Sequence, residues 1–424
     1  METILLYVGV IGVIVTVAFL VKGFETRVVL LTSGFLMAII AGNPFAAFNG
    51  FSTRMVTASL IEPMLSVMGF AYVMKLTKCD AHLVNLLTGS LQRSKIILIP
   101  GTVLVTGFVN VSLPSAAGCA AAVGAILIPT LMAAGVRPAL AGAAVFGGTF
   151  GSILSPGSAH NGFIANMVKL PVIEVIYVKF WPTIAALVIV ALSLTLIGIL
   201  FKENRGYEPS EDFKVPAVER VNFFLALIPI LPIVMLMIAN SPLDAHYAWL
   251  KKVRISHPML VGAFIGIVAT RTNPTAAVRE FFKGSGNVYA TVMSIIICAT
   301  VFVGGLEATG VVKSFMALLK DAGGAVRWAA ALGPFVLAVV TGSGDAAVMA
   351  FNEAVTPHAG QFGLSVLNMG CLTHVAGALG RTMSPITGVV IVCAGLAGVP
   401  PLELAKRTAI GVIIALFVSM ILLP

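Results

Sequence analysis

Long apolar runs separated by short polar breaks occupy most of this 424-residue chain. In the first half they fall at about 3–21, 28–42, 60–77, 140–168 and 180–201, and in the second at about 222–239, 256–270, 288–306, 361–399 and 406–423. A helix of about 20 apolar residues spans the hydrocarbon core of a bilayer. The pattern therefore predicts an all-α polytopic membrane protein with two halves of five crossings each, 1–201 and 221–424, joined by a polar linker at 202–220. Between the third and fourth crossing of each half, an amphipathic piece (80–95; 307–327) precedes an apolar segment interrupted by small polar residues. Each such segment reads as a re-entrant hairpin, the first near 97–135 with its tip at 110–118, the second near 328–360 with its tip at 341–345.

Two of the runs cannot be continuous helices. The run 140–168 contains Ser155, Pro156, Gly157 and Ser158, and the run 361–399 contains Arg381, Thr382, Ser384, Pro385, Thr387 and Gly388. Backbone freed by a break at membrane depth is tolerated only inside protein or along a wet cavity, and broken helices of this kind hold the cargo of many secondary transporters. The two breaks also repeat. Ser155-Pro156 precedes Ser384-Pro385 by 229 positions, Pro171 and Glu174 precede Pro400 and Glu403 by the same interval, and Ser115 and Pro129 precede Ser343 and Pro357 by 228. Because five is odd, the second half is expected to insert upside down, giving inverted repeats whose hairpin tips meet near the midplane.

Composition excludes the soluble classes: 58% of residues are hydrophobic, 10% are charged and the mean hydropathy is +1.04. A net charge of +9 does not point to nucleic acid, because the basic residues stand singly at the ends of apolar runs. Of the 26 Lys and Arg, sixteen fall on the linker side of this topology and nine, including Arg54 and Lys179, on the other; Arg381 alone lies inside. The linker side is thus expected in the cytoplasm and both termini in the periplasm. No basic leader or cleavage site marks the N-terminus, so 3–21 reads as a retained helix. Five cysteines without paired spacing suggest neither disulfide nor metal.

Ionisable residues inside apolar runs are few: Glu62, His160, Asp345, Glu353, His358, His374 and Arg381. Each costs about 2.5 to 3.5 kcal/mol at mid-membrane if charged, so each needs a reason. Arg381 at the second break can grip a carboxylate with two parallel hydrogen bonds, or it can pair with Asp345 as a structural bridge. Around these two, the candidate substrate contacts are Ser115, Ser343 and Gly344 at the tips, Ser155, Ser158, His160 and Asn161 at the first break, and Thr382, Ser384 and Thr387 at the second. A coupling sodium would find oxygens near Ser115, Ser343 and Asp345; a coupling proton would use His160 or Asp345. Glu62, His358 and His374 read as structural, and Glu174 and Glu403 as helix caps. No cofactor is implied. Gly342-Ser343-Gly344-Asp345 matches the G-x-G-D signature of intramembrane aspartyl proteases, but that chemistry needs two aspartates. The other four, Asp80, Asp212, Asp244 and Asp321, fall in polar or amphipathic connections, so no enzyme is expected.

The segments TGSGDAAVMAFNEA at 341–354 and LGRTMSPITGVVIVCAGLAGVPPLELAKRT at 379–408 resemble the anaerobic C4-dicarboxylate carriers of the C type, within the ion transporter superfamily, while the first half resembles them in layout. The resemblance implies a bacterial inner-membrane carrier of the succinate, fumarate, malate or aspartate class, and a homodimer in which a hairpin-bearing domain moves against a scaffold by an elevator-type cycle. Two positions depart from the family pattern: Asp345 stands where an amide is common, and Ala159-His160-Asn161 stands near the first break in place of an acidic residue. These departures keep a cation/proton antiporter using Asp345 as the alternative.

Overall fold

Helices and turns make up all the regular structure in the computed structural model, which describes residues 2–91, 97–209, 221–241, 247, 249–314, 317 and 325–423. Among them, seven helices are long and apolar enough to cross a membrane: Thr3–Val21, Ala58–Leu76, Ala116–Ala133, Pro138–Val168, Val172–Leu200, Pro274–Ala308 and Pro401–Leu422. Shorter apolar helices, among them Leu98–Ser112, fill out the bundle.

Two pairs of helices turn at the small polar interruptions. In the first, Leu98–Ser112 turns into Ala116–Ala133, with the Ser115 hydroxyl accepting from the Gly118 N–H at 3.2 Å. Asn110 ties this turn down twice, donating to the Leu113 carbonyl at 2.9 Å and accepting from the Ser152 N–H at 2.8 Å. In the second, Ala325–Thr341 turns into Gly344–Ala354 through Gly342, whose φ of +72° lies in the left-handed region that glycine adopts without strain. A Cβ there would also sit 3.0 Å from Ile386 Cγ1. Each hairpin tip therefore rests on the break of its own half.

The first broken helix runs Pro138–Phe146, a 3-10 turn Gly151–Leu154, a non-helical stretch at 155–158, then Ala159–Val168. The second runs Val366–Arg381, a stretch at 382–387, then Gly388–Ala397. Local polar groups satisfy the freed backbone, as they must in a medium without water. Asn161 donates to the carbonyls of Ile153 and Ser155 at 2.8 Å each, the Thr387 hydroxyl accepts from the Val390 N–H at 3.1 Å, and the Thr408 hydroxyl donates to the Thr382 carbonyl at 2.8 Å.

The same order of elements occurs twice. Helices beginning at 116, 138, 159 and 172 are matched by helices beginning at 344, 366, 388 and 401, each pair 228 or 229 positions apart. Packing repeats as well. Gly151 lies against the backbone of Gly107 on the first hairpin and Gly380, 229 positions on, against the backbone of Phe335 on the second; a Cβ at either would overlap the facing carbonyl oxygen. Small residues at such crossings let membrane helices approach closely, which matters where the hydrophobic effect does not drive them together.

Hairpins, broken helices, Val172–Leu200 and Pro401–Leu422 share one core that includes Phe146, Phe150, Leu379 and Leu416. Helices from 2–76 and 223–308 pack mainly among themselves. The two groups meet where Ala58–Leu76 lies on Ala159–Val168 and the end of Pro274–Ala308 lies on Gly344–Ala354. A further core with Met64, Phe163, Phe302 and Met349 seals that seam. Arg54 bridges it too, paired with Glu353 and donating to the Thr300 hydroxyl at 3.0 Å.

Four features differ from the sequence expectation. Pro44–Met55 is a helix where hydropathy leaves a connection, and its counterpart 230 positions on starts the 35-residue Pro274–Ala308, so the expected crossing at 288–306 is only the second part of a longer helix. Both begin with Asn-Pro, which places proline where a missing N–H is harmless; their polar faces hide them from a hydropathy reading. Val172–Leu200 begins eight residues before its apolar run and takes in Lys179, which the charge count had placed outside; Arg54 likewise sits in a half-buried ion pair on a helix and not in a surface loop. Two expected crossings, Thr26–Ile40 and Ser256–Thr270, have 15 residues each and span about 22 Å, short of a 30 Å hydrocarbon core. The run at 222–239 is two pieces, Phe223–Leu227 and Leu231–Ala239. Residues 210–220 of the linker, 92–95 of the first amphipathic piece, and 315–316 and 318–324 of the second lie outside the described residues.

Candidate functional site

A cavity of about 360 Å³ opens at the seam. One wall is Met64 and Met68 of Ala58–Leu76 with Asn287, Val288, Thr291 and Val292 of Pro274–Ala308. The other wall comes from both halves: Pro114 and Ser115 at the first tip, Ser158 and His160 at the first break, Gly344 and Asp345 at the second tip, and His374, Ala378 and Arg381 before the second break.

Three helices, Ala116–Ala133, Ala159–Val168 and Gly344–Ala354, begin at this cavity. Helix N-termini carry unpaired N–H groups and the positive end of the helix dipole, which suits an anion. Ser158, which caps one of them, makes no capping bond with its hydroxyl. Arg381 stands in the last turn of Val366–Arg381, where the dipole favours a cation. One of its N–H groups donates to the Thr149 carbonyl at 2.9 Å, and its others meet no acceptor among the described residues.

Asp345 is in the first turn of Gly344–Ala354, brought against Val366–Arg381 because Gly344 leaves only 2.7 Å between an added Cβ and the Gly377 carbonyl. Its side chain is 50% exposed to the cavity, and Oδ1 lies 2.9 Å from His160 Nε2. Arg381 and Asp345 therefore do not bridge each other; His160 engages the acid and Thr149 the guanidinium. The His160 ring stacks on that of His374 with centroids 4.4 Å apart, and its Nδ1 is buried without a partner. Behind His374, the fully buried Lys179 places Nζ 2.8 Å from His374 Nδ1 and donates to Asn161 Oδ1. Lys179, His374, His160 and Asp345 thus stand in a row from the core to the cavity.

Of the residues singled out by sequence, Ser115, Ser158, His160, Gly344, Asp345 and Arg381 line the cavity together. Six others do not. Ser155 accepts from the Gly157 N–H at 3.3 Å, Asn161 is buried under the break, and the Ser343 N–H donates to the Thr341 hydroxyl at 3.2 Å. The Thr382 hydroxyl donates to the Ala378 carbonyl at 2.9 Å, the Ser384 hydroxyl accepts from the Ile386 N–H at 3.4 Å, and Thr387 caps its helix. Only Ser115 and Asp345 of the suggested sodium oxygens face the cavity. Two residues of this row were not among those the sequence singled out. His374 was taken as structural, and Lys179 as a loop residue; the Pro171 and Pro400 match, taken as a helix start, would have placed Lys179 two turns inside.

A second cavity of about 740 Å³ adjoins the first and shares Met68, Pro114, Ser115 and Asn287 with it. Lys75, Asp80, Glu280 and Lys283 line its outer part.

A helical membrane fold with a polar, cation-bearing cavity between two packed bodies defines a transporter and not an enzyme. The family model for the C4-dicarboxylate anaerobic carrier, DcuC, matches residues 4–424, and the chain belongs to that family. It is 42% identical over 280 residues to a Haemophilus influenzae transporter, covering 64% of this chain and 100% of that one. To the anaerobic C4-dicarboxylate transporter DcuC of Escherichia coli K12 it is 23% identical over 448 residues, 98% of this chain and 95% of that one. The crystal structure of the Alcanivorax borkumensis YdaH transporter superposes with a TM-score of 0.63 at 15% identity, covering 96% of this chain and 97% of that one. This last likeness is one of fold alone.

Proposed function

We propose that the cavity binds a small dicarboxylate of the succinate, fumarate, malate or aspartate class and carries it across the bacterial inner membrane by an elevator-type alternation. The observation that carries this reading is the convergence of three helix N-termini and the partly unengaged Arg381 guanidinium on one cavity. Such a site favours anions, and a fork of N–H donors suits a carboxylate. Family membership supports the substrate class.

The seam supports the motion. Its scaffold wall is largely apolar, while most polar groups belong to the hairpin-bearing body, so a substrate held by that body can slide along the wall without losing its main partners. Lys75 and Lys283 of the adjoining cavity lie on the side assigned to the cytoplasm by charge, which makes this an inward-facing arrangement. The doubled order of elements supports two repeats, and the count of Lys and Arg by side supports their inversion with both termini periplasmic. We further infer the homodimer from the family resemblance; a single-chain mass in native mass spectrometry from mild detergent would remove it.

Uptake of labelled succinate into proteoliposomes, under an imposed sodium or proton gradient, tests the reading. Accumulation driven by one gradient confirms a carrier and names its ion. Proton flux that is indifferent to any carboxylate would instead establish the antiporter with Asp345 as its exchanging acid.

A further inference from the structure

Lys179 is 0% exposed in the middle of the hairpin-bearing body, and among the described residues no carboxylate pairs with it. A buried ammonium without a counter-ion is expensive, so its contacts carry weight. The position 229 residues on is Thr408, which performs the local structural task with a short hydroxyl, donating to the Thr382 carbonyl of the second break at 2.8 Å. Lys179 does more than this. It donates to Asn161, which holds the first break, and it reaches across to His374 Nδ1 on another helix at 2.8 Å.

A nitrogen that accepts an ammonium N–H must present its lone pair. The single ring proton of a neutral His374 then resides on Nε2, and the imidazolium form is incompatible with the bond. That Nε2 meets no protein acceptor among the described residues, and it is not sealed from the cavity that His374 lines. Resting on the dicarboxylate reading above, we propose that Lys179 is a positioning residue that holds His374 as a permanent Nε2–H donor to a substrate carboxylate, complementing Arg381. The groups facing His374 are Lys179 from Val172–Leu200, His160 from Ala159–Val168 with Asp345 of the second hairpin beyond it, and Arg381 from its own helix. The two histidines then differ in role. His160 meets the acid through Nε2, while His374 supplies a donor to the cavity.

The test uses the full chain in lipid with 15N-labelled histidine. Solid-state NMR should give a His374 ring, assigned by its loss in His374→Gln, that is neutral and protonated at Nε2 from about pH 6 to 8. An Nδ1-protonated ring or an imidazolium in that range would overturn the proposal. In Lys179→Met the ring should exchange tautomers and protonate as pH falls, and the succinate Kd should acquire a pH dependence that Lys179→Met/His374→Gln lacks. A Lys179→Met profile identical to the parent's, or one that persists in the double variant, counts against the pair. His374→Ala should weaken succinate about tenfold or more, the loss of a hydrogen bond to a charged group, with partial recovery in His374→Gln. Should Lys179→Met fail to fold, the parent spectrum decides. Failure of succinate to bind the parent would remove the dicarboxylate reading and leave the tautomer result standing.

Discussion

Replacing Arg381 by Lys keeps the positive charge and removes the planar fork. In the structure the guanidinium spends one N–H on the Thr149 carbonyl, at 2.9 Å, and turns the rest toward the cavity. A lysine ammonium on a shorter head can keep the Thr149 contact or meet a carboxylate squarely, but it cannot offer two parallel donors while doing either. The loss is one hydrogen bond between charged groups, about 1.5 to 3 kcal/mol, or about 10- to 150-fold in affinity. Calorimetric titration of succinate into detergent-purified protein reads this directly, and proteoliposome uptake should fall in parallel. Folding and insertion should change little, since the charge still sits at a helix C-terminus. Because His160 and not Arg381 engages Asp345, the double neutral variant Arg381→Gln/Asp345→Asn should not recover transport. A succinate Kd within about twofold of the parent in Arg381→Lys would refute the reasoning, taken against the tenfold minimum above. Recovery in the double variant would show that the two charges serve each other.

Three further outcomes follow from the same geometry. Glu353→Gln strands the part-buried Arg54 at the seam and removes a hydrogen bond between charged groups, about 1.5 to 3 kcal/mol, so thermal unfolding in detergent should drop by several degrees and partly recover in Arg54→Gln/Glu353→Gln; an unchanged melt would mean the pair is hydrated. Gly151→Ala forces a methyl into the Gly107 carbonyl and should cost about 1 to 3 kcal/mol, whereas Gly286→Ala, with nothing nearby, should be silent; equal melting temperatures for the two would contradict the close crossing. Replacing His160 by Gln or Asp345 by Asn should flatten the pH profile of succinate transport in at least one variant, and two parent-like profiles would exclude proton coupling through this pair.

Much of the architecture was legible because polar residues are rare in this chain. The Ser-Pro pairs at 155–156 and 384–385 mark non-helical stretches, and the small polar knots at 115 and 343 mark the turns of the hairpins. Hydropathy failed where a helix is amphipathic. Pro44–Met55 and the first part of Pro274–Ala308 carry Arg54, Arg279, Glu280 and Lys283, and a window that averages over them finds no crossing. The site was legible in outline, through Arg381, Asp345 and His160. The hydroxyls near them stand outside the cavity for one reason: Thr382, Ser384 and Thr387 lie beside freed backbone, and a hydroxyl next to an unpaired amide or carbonyl is taken up locally. Lys179 and His374 were hidden differently: Lys179 cut the apolar run short at 180 and so read as its flank, and its contact with His374 becomes visible only when two helices are placed side by side.

The repeat accounts for both what was found and what was missed. Positions that build the scaffold match across the 228 to 229 residue interval: Ser115 with Ser343, Gly151 with Gly380, Pro171 with Pro400. The charged and titratable positions of the cavity and of the row behind it do not. Arg381 answers to Ser152, Asp345 to Ala117, His160 to Val389, His374 to Phe146 and Lys179 to Thr408. A site built by two equivalent halves would present every charge twice, and two Arg381 equivalents or two Asp345 equivalents facing each other across one 360 Å³ cavity would repel. Divergence removes that repulsion while leaving the backbone frame intact, so one half contributes the guanidinium and the acid and the other the histidine that meets the acid and the lysine that orients its neighbour. Exchange of one such position for its counterpart should then leave the fold standing and strip a single function: Lys179→Thr, which introduces at 179 the hydroxyl that Thr408 carries in the second half, should preserve the melting temperature far better than it preserves affinity for succinate. If Lys179→Thr instead unfolds the protein while Lys179→Met does not, the hydroxyl fails in the first half where it serves in the second, and the equivalence of the two positions is wrong.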